Sequence, residues 1–168
     1  MSRGEGRNRQ PLYDAQQRAR RDATVWTLVQ GVLAPLQFLV FLVSLALVLR
    51  TLATGEGAWA ANVSIVAKTG LLYAIMVTGS IWEKVVFGRY LFAPAFYWED
   101  MVSMLVLALH TLHLVALATG RLDTTGLMLL ALAAYASYAI NATQFLLKLR
   151  AARLEAAPAL RLDAEGAR

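Results

Sequence analysis

The sequence predicts an all-α protein, a polytopic membrane bundle of four transmembrane helices, and three observations predict it. The chain of 168 residues is 58% hydrophobic and 16% charged with a mean hydropathy of +0.52, more apolar material than one soluble core of that length can hide. The apolar residues gather into four runs, each long enough to cross the ~30 Å hydrocarbon layer as a helix. The charged residues lie almost wholly between and outside those runs.

The first helix is expected near residues 25–49, where only Gln30, Gly31, Pro35, Gln37 and Ser44 interrupt the apolar run and Pro35 predicts a kink. This run is too long for a secretory signal and no small-residue cleavage motif follows it, so it is expected to stay in the mature protein. The second helix is expected near 59–82, the third near 101–118 and the fourth near 126–147. Between them lie Thr54-Gly55-Glu56-Gly57, then Glu83 to Trp98 with its Pro94, then Thr119 to Asp123, all carrying turn residues at helix ends. The expected organisation is a basic arm (1–23), a transmembrane domain (24–149) and a tail (150–168), with no internal repeat and no second domain.

Charge placement predicts orientation. Of the 16 basic residues, all but Arg50, Arg121 and Lys68 fall in the arm, in the loop between the second and third helices, or in the tail. The positive-inside rule therefore puts both termini and the middle loop in the cytoplasm. The arm from Ser2 to Arg21 and the tail after Arg153 read as solvated or membrane-surface segments without catalytic duty. Cysteine is absent, which excludes disulfides, thiolate metal sites, iron-sulfur clusters and cysteine nucleophiles. The net charge of +5 does not imply nucleic acid, because the basic residues flank apolar runs and do not form an aromatic-interleaved face.

Chemistry must lie in the polar groups that membrane helices normally avoid. Glu83, Glu99 and Asp100 arrive at one membrane surface together with Trp82, Tyr90, Tyr97 and Trp98. The plain reading is an interfacial belt, with the two acids favouring the N-terminus of the third helix. The sharper reading is that neighbouring carboxyls in a partly apolar site hold one proton between them and supply a general acid. Deeper in the third helix stand His110 and His113. His110 lies about 16 Å along the helix from Glu99, near mid-bilayer, and a neutral imidazole there could ligate a metal or bond a neighbouring helix. For His113 the helix bond is the preferred reading. Lys68 falls at a similar depth, where it would snorkel outward, pair with a ligand carboxylate or join helices. In the fourth helix Tyr135, Tyr138 and Asn141 recur at threes, a spacing that joins helices more often than it binds substrate.

Three strings carry a resemblance: DATVWTLVQGVLAPLQF from Asp22 to Phe38, IWEKVVFGRYLFAPAFYWED from Ile81 to Asp100, and Ala108-Leu109-His110. They resemble the 3-vinyl bacteriochlorophyllide hydratase family, also called 2-vinyl bacteriochlorophyllide hydratase, over residues 12 to 153. The resemblance implies a hydro-lyase of bacteriochlorophyll synthesis in a bacterial cytoplasmic or intracytoplasmic photosynthetic membrane. Such an enzyme turns the ring A vinyl group of a magnesium tetrapyrrole into a 1-hydroxyethyl group. It needs no cofactor of its own, since magnesium arrives with the substrate. Glu99, Asp100 and Glu83 are then the acid–base candidates, with the first two ranked ahead. His110, Lys68, Trp98 and Tyr97 are the substrate-binding candidates, and His110 is the candidate axial ligand to the substrate magnesium. The partners implied are the tetrapyrrole, the lipid bilayer, and either a second copy of the chain or other pigment-synthesis enzymes.

Two other classes remain open from the residues. One is a non-catalytic pigment-binding or assembly subunit of a photosynthetic complex, with His110 as an axial ligand. The other is a redox subunit carrying haem or quinone, disfavoured because both histidines lie on one helix.

Overall fold

The computed structural model describes residues 12–166, with side chains through 154; Arg3, Arg7, Arg9 and Arg168 of the orientation argument lie outside them. Among the described residues the structure is wholly helical: α1 (Ala15–Ala23), α2 (Val25–Thr54), α3 (Ala58–Phe87), α4 (Tyr97–Thr119) and α5 (Thr124–Gly166). The last four are long and apolar enough to cross a membrane.

Each spanning helix runs past the bounds that hydropathy alone predicts. Helical hydrogen bonding does not stop where the apolar run stops, and polar residues continue the last turns into the interface. Glu83 therefore sits in the final turns of α3, and Glu99 and Asp100 in the first turn of α4, leaving Gly88–Phe96 as the connection. The helix α2 runs through Pro35 without a break in helical structure. The helix α5 continues into the segment expected to be a tail.

The described part of the basic arm is also structured. Asp14 caps α1 by accepting from the Gln17 amide at 2.7 Å, while Gln17 Oε1 accepts from the Asp14 amide at 3.0 Å, a reciprocal capping box. Tyr13 is buried against Phe87 and Val86, so α1 is fastened to the end of α3. Arg20 adds a bond to the Val86 carbonyl at 3.2 Å.

Burial of apolar surface does not drive helices together inside lipid, so packing and interhelical hydrogen bonds must do so. The helix α2 packs chiefly on α3, α4 on α5, and α5 closes back onto α2. Gln30 Nε2 bonds Thr78 Oγ1 at 2.7 Å and Trp82 Nε1 bonds Thr27 Oγ1 at 2.9 Å, joining α3 to α2. Ser44 on α2 joins Ser64 of α3 at 2.6 Å and the Tyr135 hydroxyl of α5 at 2.5 Å. Asn141 of α5 donates to the Glu99 carbonyl of α4 at 2.8 Å and accepts from Ser103 at 3.1 Å. Phe41, Val48, Ile65, Leu72, Val106, Met128 and Tyr135 fill the space between these bonds.

The α3–α4 connection is made by two local devices. Gly88 ends α3 at φ 82°, a left-handed conformation that glycine adopts without a Cβ clash. Pro94 occupies the second position of a β-turn closed by the Phe96 amide on the Ala93 carbonyl at 2.8 Å, where its fixed φ is already correct. A Cβ at Gly88 would meet no atom within 4 Å. Gly88→Ala is therefore expected to cost only the backbone penalty, about 1 kcal/mol. A lower unfolding midpoint in detergent, with helical content before the transition retained, is the expected measurement.

Candidate active site

Helix α3 ends and helix α4 begins at the same end of the bundle, and the short connection brings Glu83, Glu99 and Asp100 together there. All three are buried. The carboxyls of Glu83 and Asp100 lie within hydrogen-bonding reach of each other. Two buried carboxyls placed side by side favour holding one proton between them, because burial and like charge both penalise ionising both.

The connecting loop holds the pair in place with consecutive amides. The Phe92 N–H donates to Asp100 Oδ2 at 2.7 Å, and the Ala93 N–H donates to Glu83 Oε2 at 3.2 Å. Phe92 reaches this position only by adopting φ 59°, the one non-glycine residue with positive φ among the described residues. The left-handed conformation costs an L-residue about 1–2 kcal/mol. Strain of this kind persists where surrounding structure over-determines it, often at functional sites. Here the strained Phe92 presents its N–H to Asp100 and sets the next amide on Glu83.

Glu99 is arranged differently. Its Oε2 lies 2.5 Å from Lys148 Nζ on α5, an ion pair whose side chains are 8% and 25% exposed. The same ammonium donates to the Ala95 carbonyl and lies 5.1 Å from the centre of the Phe96 ring. Neighbouring positions thus carry a carboxyl placed beside another carboxyl and a carboxylate paired with a cation. Two acidic groups with separate protonation partners form the usual arrangement for an acid and a base.

Tyr97 and Trp98 stand beside the acids but face outward, 45% and 71% exposed. Their rings meet edge to face at 5.6 Å, and Tyr97 packs on Phe92 at 5.8 Å. They form an aromatic wall outside the loop that holds the acid pair. Trp82, by contrast, turns inward against Phe87 and Phe96.

Lys68 and His110 form a second buried centre, about 22 Å along α3 from Glu83. Lys68 does not snorkel; it is fully buried, as is His110. His110 Nδ1 faces the Val106 carbonyl at 2.8 Å and so must be the protonated nitrogen, because a carbonyl only accepts. Its Nε2 is then the acceptor for Lys68 Nζ, 3.3 Å away. The ammonium also sits 3.8 Å from the centre of the Tyr138 ring and 5.4 Å from that of Tyr135. Cation–π attraction there replaces a counter-charge. The free lone pair that a magnesium ligand would use is thus occupied by Lys68. Among the described residues no three His, Asp or Glu side chains converge to hold a metal ion. His113 is buried, and neither ring nitrogen meets a hydrogen-bond partner among the described residues.

Sequence reasoning missed Lys148, which reads as one more basic residue at a helix end. The partnership crosses from α5 to α4, and no local spacing signals it. It also missed the Phe92 and Ala93 amides, because a backbone donor leaves no mark on residue type.

These features define a polytopic membrane protein with a cluster of buried carboxyls at one edge of its bundle. A family model described as 2-vinyl bacteriochlorophyllide hydratase (BCHF) matches residues 13–151, and the chain belongs to that family. A 2-vinyl bacteriochlorophyllide hydratase of Rhodobacter capsulatus is 67% identical over 150 residues, covering 89% of this chain and 87% of the relative. A protein of the same name from Cereibacter sphaeroides is 69% identical over 145 residues, covering 86% of this chain and 89% of the relative. No solved structure matches the chain.

Proposed function

We propose that this protein adds water to the ring A vinyl group of a magnesium (bacterio)chlorophyllide, producing a 1-hydroxyethyl group, with the Glu83–Asp100 pair as acid and Glu99 as base. The observation that carries the reading is the pair of buried carboxyls, Glu83 and Asp100, held side by side by the consecutive Phe92 and Ala93 amides. Close relatives named as hydratases of a vinyl bacteriochlorophyllide support the substrate class.

The proton of the pair goes to the terminal vinyl carbon. The cation left on the inner carbon is conjugated with the macrocycle, which delocalises it. Water then adds at the inner carbon and loses a proton to the Glu99 carboxylate. The pair is left one proton short and Glu99 one proton ahead, so transfer between neighbouring carboxyls or through solvent resets the site. Electrons balance without a redox partner, and the protein needs no cofactor of its own; magnesium enters as part of the substrate.

A flat, apolar macrocycle is soluble in the bilayer and meets the exposed Tyr97 and Trp98 rings on its way to the acids. The basic residues at this end of the bundle favour the cytoplasmic side of a bacterial inner or photosynthetic membrane for both termini and for the site. Substrate could then arrive there from soluble or membrane-bound pigment-synthesis enzymes. Lys68 and His110 act in this reading as a join between α3 and α4, too far from Glu83 for one ring to touch both.

The test is to incubate membranes holding this protein with a 3-vinyl chlorophyllide in labelled water. A blue shift of the red band, because conjugation with the vinyl group is lost, together with the mass of one labelled water, is the expected result. Pigment bound tightly but unchanged would overturn the hydratase reading in favour of a pigment-binding subunit.

A further inference from the structure

We propose that Lys148 is a positioning residue of the hydration site: it fixes the carboxylate that receives the water proton and, through the same ammonium, the loop that presents the acid pair. The inference rests on the acid–base reading above.

Lys148 departs from the neighbouring basic residues of α5. Arg150 and Arg153 are exposed and make no ion pair among the described residues. Lys148 turns inward across the helix interface to reach α4 and the preceding loop at once. A cation with no partner on another helix would point outward, as Arg150 and Arg153 do. This one meets the Glu99 carboxylate and the Ala95 carbonyl, and Asn141 secures the Glu99 backbone from the same face of α5.

The Ala95 contact reaches the acid pair within two residues. Ala95 lies in the β-turn from Ala93 to Phe96, and the Ala93 amide holds Glu83. The Glu99 contact reaches the pair through charge, because Asp100 is the next residue and feels both Glu99 and Lys148. Without the ammonium, a buried negative charge would stand unpaired beside two carboxyls that share a proton. The cheapest relief is for Glu99 to draw on that proton, which erases the division between acid and base. Lys148 touches no reacting atom in this scheme; it acts through Glu99 and through the turn.

The test uses the full chain in lipid nanodiscs with a 3-vinyl chlorophyllide, comparing Lys148→Met, Lys148→Arg, Glu99→Gln and Lys148→Met/Glu99→Gln. Lys148→Met is expected to lower kcat about 100-fold with KM changed less than about twofold, the size of a misplaced acid–base group rather than a lost binding contact. Lys148→Arg, which keeps the charge and the donors, is expected to recover kcat to within about tenfold of the parent. The double variant is expected to fall no more than about tenfold below Glu99→Gln, because the Glu99 route is already lost and only the turn contact remains to lose. Parental kcat in Lys148→Met, or a further loss of about 100-fold when Lys148→Met is added to Glu99→Gln, would overturn the proposal. If Lys148→Met does not fold, the double variant still decides, since it leaves no unpaired buried charge. Glu83→Gln and Asp100→Asn in the same assay separate this inference from the reading beneath it. Full turnover in both defeats the acid pair, whereas their inactivity beside a fully active Lys148→Met defeats only the positioning role.

Discussion

Asp100→Asn and Glu83→Gln are each expected to reduce hydration about 10²–10⁴-fold while the protein stays folded and still takes up pigment. The amide is isosteric and keeps an oxygen for the Phe92 or Ala93 N–H, so the loop retains its anchors. What changes is the proton. An amide opposite a carboxyl donates an N–H that does not transfer, so the remaining group has no proton held ready for the vinyl carbon. On the proposal that the two carboxyls act as one acid, the double variant is expected to be only a fewfold slower than either single one. Two losses that multiply would mean separate duties for Glu83 and Asp100. The measurement is the rate of the blue shift per folded protein, with bound pigment quantified in parallel.

Much of this arrangement is legible in the sequence, and the part that is not has a physical reason. Hydropathy reveals four spans because a residue in lipid must be apolar or find a partner inside the bundle. The spans set topology, and topology brings Glu83, Glu99 and Asp100 to one edge whatever the detailed packing. The division of labour among those three is not legible. It depends on an ammonium from α5 reaching Glu99 and on two loop amides selecting Glu83 and Asp100. Likewise, counting residues puts Lys68 and His110 at one depth, but whether they face each other depends on the rotation of two helices. Rotation is set by packing around Phe41, Tyr135 and Tyr138, which no single helix encodes.

His110→Leu is expected to be the most destabilising substitution in the membrane core, at about 3–5 kcal/mol, because it leaves Lys68 buried without its acceptor. Lys68→Met removes the costlier partner and leaves only a histidine nitrogen unsatisfied, a penalty of about 1–3 kcal/mol. In the double variant Lys68→Met/His110→Leu neither polar group remains, and methionine fills the long slot beside the Tyr138 ring. Its unfolding midpoint in detergent is expected to lie above that of His110→Leu, so the double change costs less than the sum of the two single ones. Additive losses would mean that Lys68 and His110 do not hold each other in the folded protein. Pigment retention by the double variant tests the other role considered for His110. Loss of pigment with the fold intact would assign the imidazole to the substrate magnesium, whereas full retention leaves it as the acceptor that makes a lysine tolerable in the middle of a bilayer.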